Sequence, residues 1–233
     1  MGKRIISQRR GRGTQTYRSP SHRFKGRIKH YHLASEGVVN DLVHCAGHSA
    51  PLMEVVYLTR EKNLVPAPEG IKVGDPISVG AKEIKPGNVL LLSDIPEGTL
   101  VHNIELKPGD GGKLVRSSGT FAKVIAKTES SVRVKLPSNK EKIFLPNCRA
   151  AIGSISGSGR LDKPFLKAGT RMKKMRARNK LYPKVCGISM NAVDHPFGGK
   201  CSHVKGRPTQ ASRHAPPGRK VGKIAPRRTG KRK

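Results

Sequence analysis

Acidic residues are scarce in this sequence and almost missing from its two ends. Against 47 Lys and Arg there are 15 Asp and Glu, a formal charge of +32 in 233 residues. Residues 1–35 hold ten bases and no acid, residues 36–155 fifteen bases and thirteen acids, and residues 156–233 twenty-two bases and two acids. A nearly neutral middle is thus flanked by two polycations, and self-repulsion with low hydrophobicity excludes independent folding of either flank. Gly199 to Lys233 contains no aromatic residue, and its only large aliphatics are Val204, Val221 and Ile224. That stretch cannot build a core and needs a polyanion to become ordered.

Other absences narrow the class. No apolar run is long enough to span a bilayer, and the basic start Met1-Gly2-Lys3-Arg4-Ile5-Ile6 lacks the apolar block of a signal peptide. Cys45, Cys148, Cys186 and Cys201 stand far apart with no CxxC pair, which points to free thiols in a reducing compartment. Three polyanions could answer the charge: an anionic membrane, DNA or RNA. Neither flank shows the amphipathic helix of a membrane-surface protein, so nucleic acid is preferred.

The N-terminal arm, residues 1–33, mixes Arg, Gly, Ser and Thr with Tyr17, Phe24 and Tyr31. Arginine forks match phosphates and stack on bases, as do interleaved aromatics. Arg9, Arg10, Arg12, Arg18, Arg23, Lys25, Arg27 and Lys29 are its candidate RNA contacts. The bland alternative is a solvated tail. From Glu36 the texture changes to short apolar runs punctuated by Gly and Pro. Residues 37–43, 52–58, 63–66, 71–73 and 77–79 read as about five strands, and Val89–Leu92, Leu100–Leu106, Phe121–Ala126, Val132–Leu136 and Ile143–Leu145 as a second five. In Leu100–Leu106 the alternation places Leu100, His102, Ile104 and Leu106 on one face. The fold class is therefore all-β, two small barrels with long basic irregular extensions.

After Ile155 the sequence is again basic and Gly-rich. Thr170 caps an expected short helix bearing Arg171, Lys173, Lys174, Arg176, Arg178 and Lys180, which Pro183 ends. Lys200, Lys205, Arg207, Arg213, Arg219, Lys220, Arg227 and Arg228 continue the cationic series. Within it, Met190 to Gly199 forms a tight irregular loop: Pro196 extends His195, and Gly198-Gly199 permits a turn. Asn191, His195, Gly198 and Gly199 are its candidate RNA contacts.

Asp194 beside His195 could be half of a catalytic pair, but no nucleophile motif accompanies it. The alternative is that Asp194 holds the loop while His195 hydrogen-bonds to nucleic acid. Cys186, Cys201 and His203 are weak zinc candidates without knuckle spacing, and His44, Cys45 and His48 read as core or loop residues. No metal or cofactor is expected, and no small-molecule substrate. Gly109, Gly111 and Gly112 before Lys113 lack a phosphate-loop pattern, though their backbone amides, with Lys113 and Arg116, could meet a nucleic-acid phosphate.

Asn191-Ala192-Val193-Asp194-His195-Pro196-Phe197-Gly198-Gly199 resembles the signature of the universal L-two family of large-subunit ribosomal proteins. Residues 84–88, 101–109, 117–120 and 147–150 resemble its other hallmark segments, so the likeness runs from end to end. The short N-terminal arm and Phe197, where bacterial members carry a second histidine, are similar to the archaeal and eukaryotic type, and the size to the archaeal. The resemblance implies an OB-like barrel at 34–82, an SH3-like barrel at 83–158 and a C-terminal extension at 159–233. It also implies large-subunit ribosomal RNA and other ribosomal proteins as partners, contact with the small subunit and a cytoplasmic location. His195 would be the histidine that the family associates with peptidyl transfer; no role of a second loop histidine carries over. A structural RNA-binding protein is the leading reading. An enzyme acting through Asp194 and His195, and a DNA-architectural protein, are its rivals.

Overall fold

The computed structural model describes residues 2–81, 83–199 and 209–227. The chain divides into two compact units, Ser21–Pro164 and Met1–Pro20 with Phe165–Lys233. The first is all-β. Its strands are β1 (Ser35–Val43), β2 (Leu52–Tyr57), β3 (Lys62–Pro66), β4 (Pro76–Val79), β5 (Val89–Leu91), β6 (Leu100–His102), β7 (Ala122–Lys127), β8 (Val132–Lys135), β9 (Glu141–Phe144) and β10 (Arg149–Ile152). They form one sheet in the order β3-β2-β1-β4-β5-β10-β6-β7-β8-β9.

That sheet wraps separate cores. Val39, Met53, Val55, Tyr57, Ile77 and Val79 pack in the first, where Tyr31 stacks on Tyr57 with ring centroids 4.2 Å apart. Leu90, Leu92, Val101, Ile104, Val124, Val134 and Phe144 pack in the second. Within the sheet the join is the parallel pairing of Val79 with Val89, and an antiparallel bridge between Pro68 and Ile155 ties the two strand sets again. Val89 of β5 and Ala151 of β10 pack in the first core, so the second set of strands helps to close the first barrel. Alternating β-branched residues create the elements: in β8, Val132 and Val134 are buried while Arg133 and Lys135 are exposed. Gly37 is required on β1, because a Cβ there would lie 2.8 Å from the Val56 carbonyl oxygen.

Several expectations need correction. Residues 71–73 are not a strand; the chain turns there, with Asp75 accepting from the Lys72 N–H at 2.9 Å. The regular alternation of Leu100–Leu106 is absent, since Val101 to Glu105 are all buried. Asn103 adopts φ +48° and ends the pleat, and the following residues are covered from two sides: Ile104 exchanges hydrogen bonds with Leu114, and Glu105 N–H donates to Arg149 O. β10 has no counterpart in the expected strands. Thr170 caps nothing: the helix starts at Ala168 after an extended Lys167 that makes no side-chain cap.

The described residues of the second unit hold two α-helices, α1 (Ile6–Gly11) and α2 (Ala168–Ala177), a 3-10 turn at Gly187–Ser189 and a two-residue parallel pairing of β11 (Gln210–Ala211) with β12 (Lys223–Ile224). Among its described residues only Gly198 and Ala211 are buried. A charge-rich, aliphatic-poor sequence leaves it no core to form.

Candidate nucleic-acid interface

From Arg23, the last residue of a short 3-10 turn (Ser21–Arg23), to His30 the exposure of the chain alternates with period two. Arg23, Lys25, Arg27 and Lys29 are exposed, while Phe24, Gly26, Ile28 and His30 turn inward. Ile28 packs with Cys45 and Leu52, and with Phe24 and Leu64. Gly26 stands close to its neighbour: a Cβ there would lie 2.8 Å from Leu64 Cδ1, so that methyl would have to move aside. Backbone contacts fix the strip further. Ile28 bridges Leu64 in parallel, Lys29 O accepts from Asn63 Nδ2 at 2.9 Å, and His30 N–H donates to Gly111 O at 2.9 Å. Four cations thus stand on the outward side of a segment whose inward residues and backbone are anchored to the barrel.

Beneath the strip lies a polar cluster that sequence reasoning missed. The Glu105 carboxylate is fully buried and accepts four hydrogen bonds, from Gly109 N–H, Gly111 N–H, Arg149 N–H and Arg149 Nη2, at 2.9 to 3.2 Å. Burial alone would raise its carboxyl, yet the Arg149 and Gly111 donors hold it below the usual carboxylate range. Arg149 Nη1 also donates to Tyr31 O at 2.7 Å. The glycine turn was a candidate phosphate cradle. Its Gly109 and Gly111 amides instead point at Glu105, and Gly112 N–H at Asp110, so the turn supplies its own anion. Lys113 is exposed beside it, whereas Arg116 is half-buried with its guanidinium toward the Gly112 and Ile28 carbonyls.

His30 Nε2–H donates to Asn103 O at 2.6 Å, and its Nδ1 is buried without a partner. Burial lowers its pKa to about 4, and does the same for His102, whose Nδ1 lies 2.9 Å from Gly153 O. Both rings are structural. Cys45 is buried with His48 Nδ1 3.1 Å from its sulfur, a core pair, while His44 is exposed.

In the second unit the 190–199 loop is held by its own backbone. Asn191 O accepts from Asp194 N–H at 2.9 Å and His195 N–H at 3.2 Å, and Met190 O accepts from Gly199 N–H at 3.0 Å. Gly198 is obligatory, since a Cβ would run into the Asn191 carbonyl. His195 Nδ1 accepts the Phe197 N–H at 3.0 Å, which leaves Nε2 as the protonated nitrogen of the neutral ring. Burial lowers its pKa from the ordinary value. The Asp194 carboxylate stands 3.9 Å from Lys3 Nζ, and Val193 O accepts the Lys3 N–H at 2.8 Å. The Asp194–His195 pair is therefore not assembled: the nitrogen that a carboxylate would orient is occupied by backbone. Lys3 is a residue that the sequence reading passed over.

The remaining candidate cations are distributed along the second unit. Arg9, Arg10, Arg12 and Arg18 are exposed, as are Arg171, Lys173, Arg176 and Lys180 on and just after α2, with Lys174 and Arg178 half-buried. Lys174 Nζ sits 4.8 Å from the Phe165 ring centroid. Arg213, Arg219, Lys220, Arg227, Asn191 and Gly199 are exposed, and Gly198 is buried. Lys200, Lys205, Arg207 and Arg228 lie outside the described residues, as do Cys201 and His203, the companions of the exposed Cys186. Among the described residues no cluster of three or more His, Cys, Asp or Glu side chains could hold a metal ion, and no helix is long and apolar enough to cross a membrane.

The described residues thus combine barrels built on one sheet, exposed cations and a loop in which the Asp194 carboxylate faces Lys3 and the His195 ring faces backbone. Residues 85–218 match the family described as Ribosomal Proteins L2, C-terminal domain. Over the whole of both chains the sequence is 53% identical to the large ribosomal subunit protein uL2 of Methanothermobacter thermautotrophicus. It is 52% identical, again over both full lengths, to the uL2 proteins of Methanococcoides burtonii and Methanococcus maripaludis. The chain belongs to the uL2 family of ribosomal proteins, in its archaeal type, a family of structural components rather than enzymes.

Proposed function

We propose that this chain is a structural constituent of the large ribosomal subunit that binds large-subunit ribosomal RNA in the cytoplasm. In this reading it supports subunit association and organises the peptidyl-transferase region through the 190–199 loop. Residues 34–82 and 83–158 act as the OB-like and SH3-like docking modules. Residues 1–33 and 159–233 are the arms that neutralise phosphate, alongside other ribosomal proteins and at a contact with the small subunit. The observation that carries the reading is the row Arg23, Lys25, Arg27 and Lys29, four cations whose positions are fixed by the apolar residues between them. A row so built meets a phosphate backbone without first being ordered.

His195 enters as a neutral Nε2–H donor toward RNA, which suits positioning and not proton transfer. The test is RNA binding across salt. With only six to ten phosphates neutralised, affinity for a large-subunit RNA fragment falls by about 10³–10⁵ between 50 and 200 mM salt. The protein also stays with purified large subunits until strong salt releases it. A salt slope near zero overturns the proposal.

A further inference from the structure

Nine Phe and Tyr residues serve this chain, and it has no Trp. Tyr31, Tyr57, Phe144 and Phe24 belong to the barrel cores. Phe197 lies against His195, Phe165 carries Lys174, and Phe121 is exposed. The remaining two, Tyr17 and Tyr182, are far apart in sequence yet line one cavity of about 430 Å³. This lies in the size range of ligand pockets.

The cavity is braced. Asn179, at φ +50° just past α2, donates from Nδ2 to Gln15 O at 3.1 Å and to Arg18 O at 2.9 Å. One amide thus grips the backbone on both sides of Tyr17, whose own N–H donates to Thr14 O at 2.9 Å. The Arg171 guanidinium stands 5.4 Å from the Tyr182 ring centroid. Met172 and Leu181 add apolar lining, Arg176 and Lys180 add positive charge, and none of the lining residues is acidic. Two rings, an apolar lining and two cations call for a flat π-system that carries negative charge on its attachment.

From this we infer that the Tyr17–Tyr182 cavity takes one unstacked nucleobase of an RNA strand, with Arg176 and Lys180 meeting the adjoining phosphates. The inference rests on the proposed RNA-binding function and adds to it a site read by stacking, which charge alone does not provide. Stacking of one base corresponds to roughly 5- to 150-fold in affinity.

The experiment uses the full chain with two probes, a 12-nucleotide oligouridylate and an abasic ribose-phosphate strand of equal length. Because there is no Trp, tyrosine emission is read directly. The base-bearing strand binds more tightly and quenches emission, while the abasic strand does neither. Tyr17→Ala and Tyr182→Ala each abolish the difference, and Tyr17→Phe and Tyr182→Phe keep it, which separates lost stacking from lost folding. Equal affinity for both strands, with a steep salt dependence retained, overturns the cavity and leaves the RNA-binding function standing. Binding of neither strand overturns both. Displacement of oligouridylate by a Tyr-bearing basic peptide, with no such displacement by excess uridine, assigns the cavity to a protein contact and also overturns it.

Discussion

At the scale of single residues, Glu105 does the work that an outside anion does in other glycine turns. It organises Gly109 and Gly111 and neutralises Arg149 from a fully buried position. Removing one member of such a pair leaves a buried charge uncompensated, so Glu105→Gln costs about 3–5 kcal/mol in urea unfolding of the full chain. A loss under about 1 kcal/mol would show that Arg149 finds another partner. His30 and His102 make the same region acid-sensitive. Their pKa values of about 4 in the fold lie below the ordinary 6.5. Between those values the unfolded chain binds protons that the native one refuses, so stability rises with pH across that window and is complete above it. Acidification from pH 7 to 4 removes on the order of 3 kcal/mol per histidine. Below that the histidines add nothing more, and loss of the Glu105 charge takes over. Unfolding midpoints at pH 7, 5.5 and 4.5 check this; a level profile contradicts it.

Among the elements, the strip from Arg23 to His30 separates two energies that the sequence runs together. Its inward side belongs to folding and its outward side to the partner. Replacing Arg23, Lys25, Arg27 and Lys29 together by Ala lowers the logarithmic salt slope of RNA binding by about 3, at 0.7 to 0.9 per phosphate. The melting temperature of the barrels stays where it was. A lowered melting temperature with an unchanged slope would place those cations in the fold instead. The alternation was visible in the letters, but the density of charge concealed that Phe24, Ile28 and His30 share a phase. The β-branched runs between Gly and Pro made nine of the ten barrel strands legible in outline, because burial on one face leaves that pattern. β6 was overextended because the left-handed turn at Asn103 is not encoded in hydropathy. β10 was invisible because Ala150 and Ala151 carry little strand preference, and their pairing is set across the sheet by Leu90 for Ala150 and by Val89 and His102 for Ala151. The α2 start was misplaced since Ala at its first position needs little help from a cap. In the loop, adjacency suggested an Asp194–His195 contact that the Phe197 amide pre-empts.

For the whole molecule, one sheet running through both barrels makes them a single folding unit, while the described residues of the second unit have next to nothing buried. Deleting residues 199–233 therefore leaves one cooperative barrel transition in calorimetry at its original temperature and weakens RNA binding at every salt concentration. Two resolved transitions would deny the mechanical continuity that the Val79–Val89 pairing and the shared first core imply. Loss of the transition altogether would mean that the cationic tail is needed for the barrels to fold.

The two-residue rhythm beside the first barrel has a genetic corollary. Insert or delete a single codon between Arg23 and His30 and every downstream side chain trades places, lysines driven into oil and isoleucine set before the solvent. A change of two codons restores the order. Length variation among descendants of this gene should therefore be tolerated ahead of Arg23, and inside the strip only in even steps.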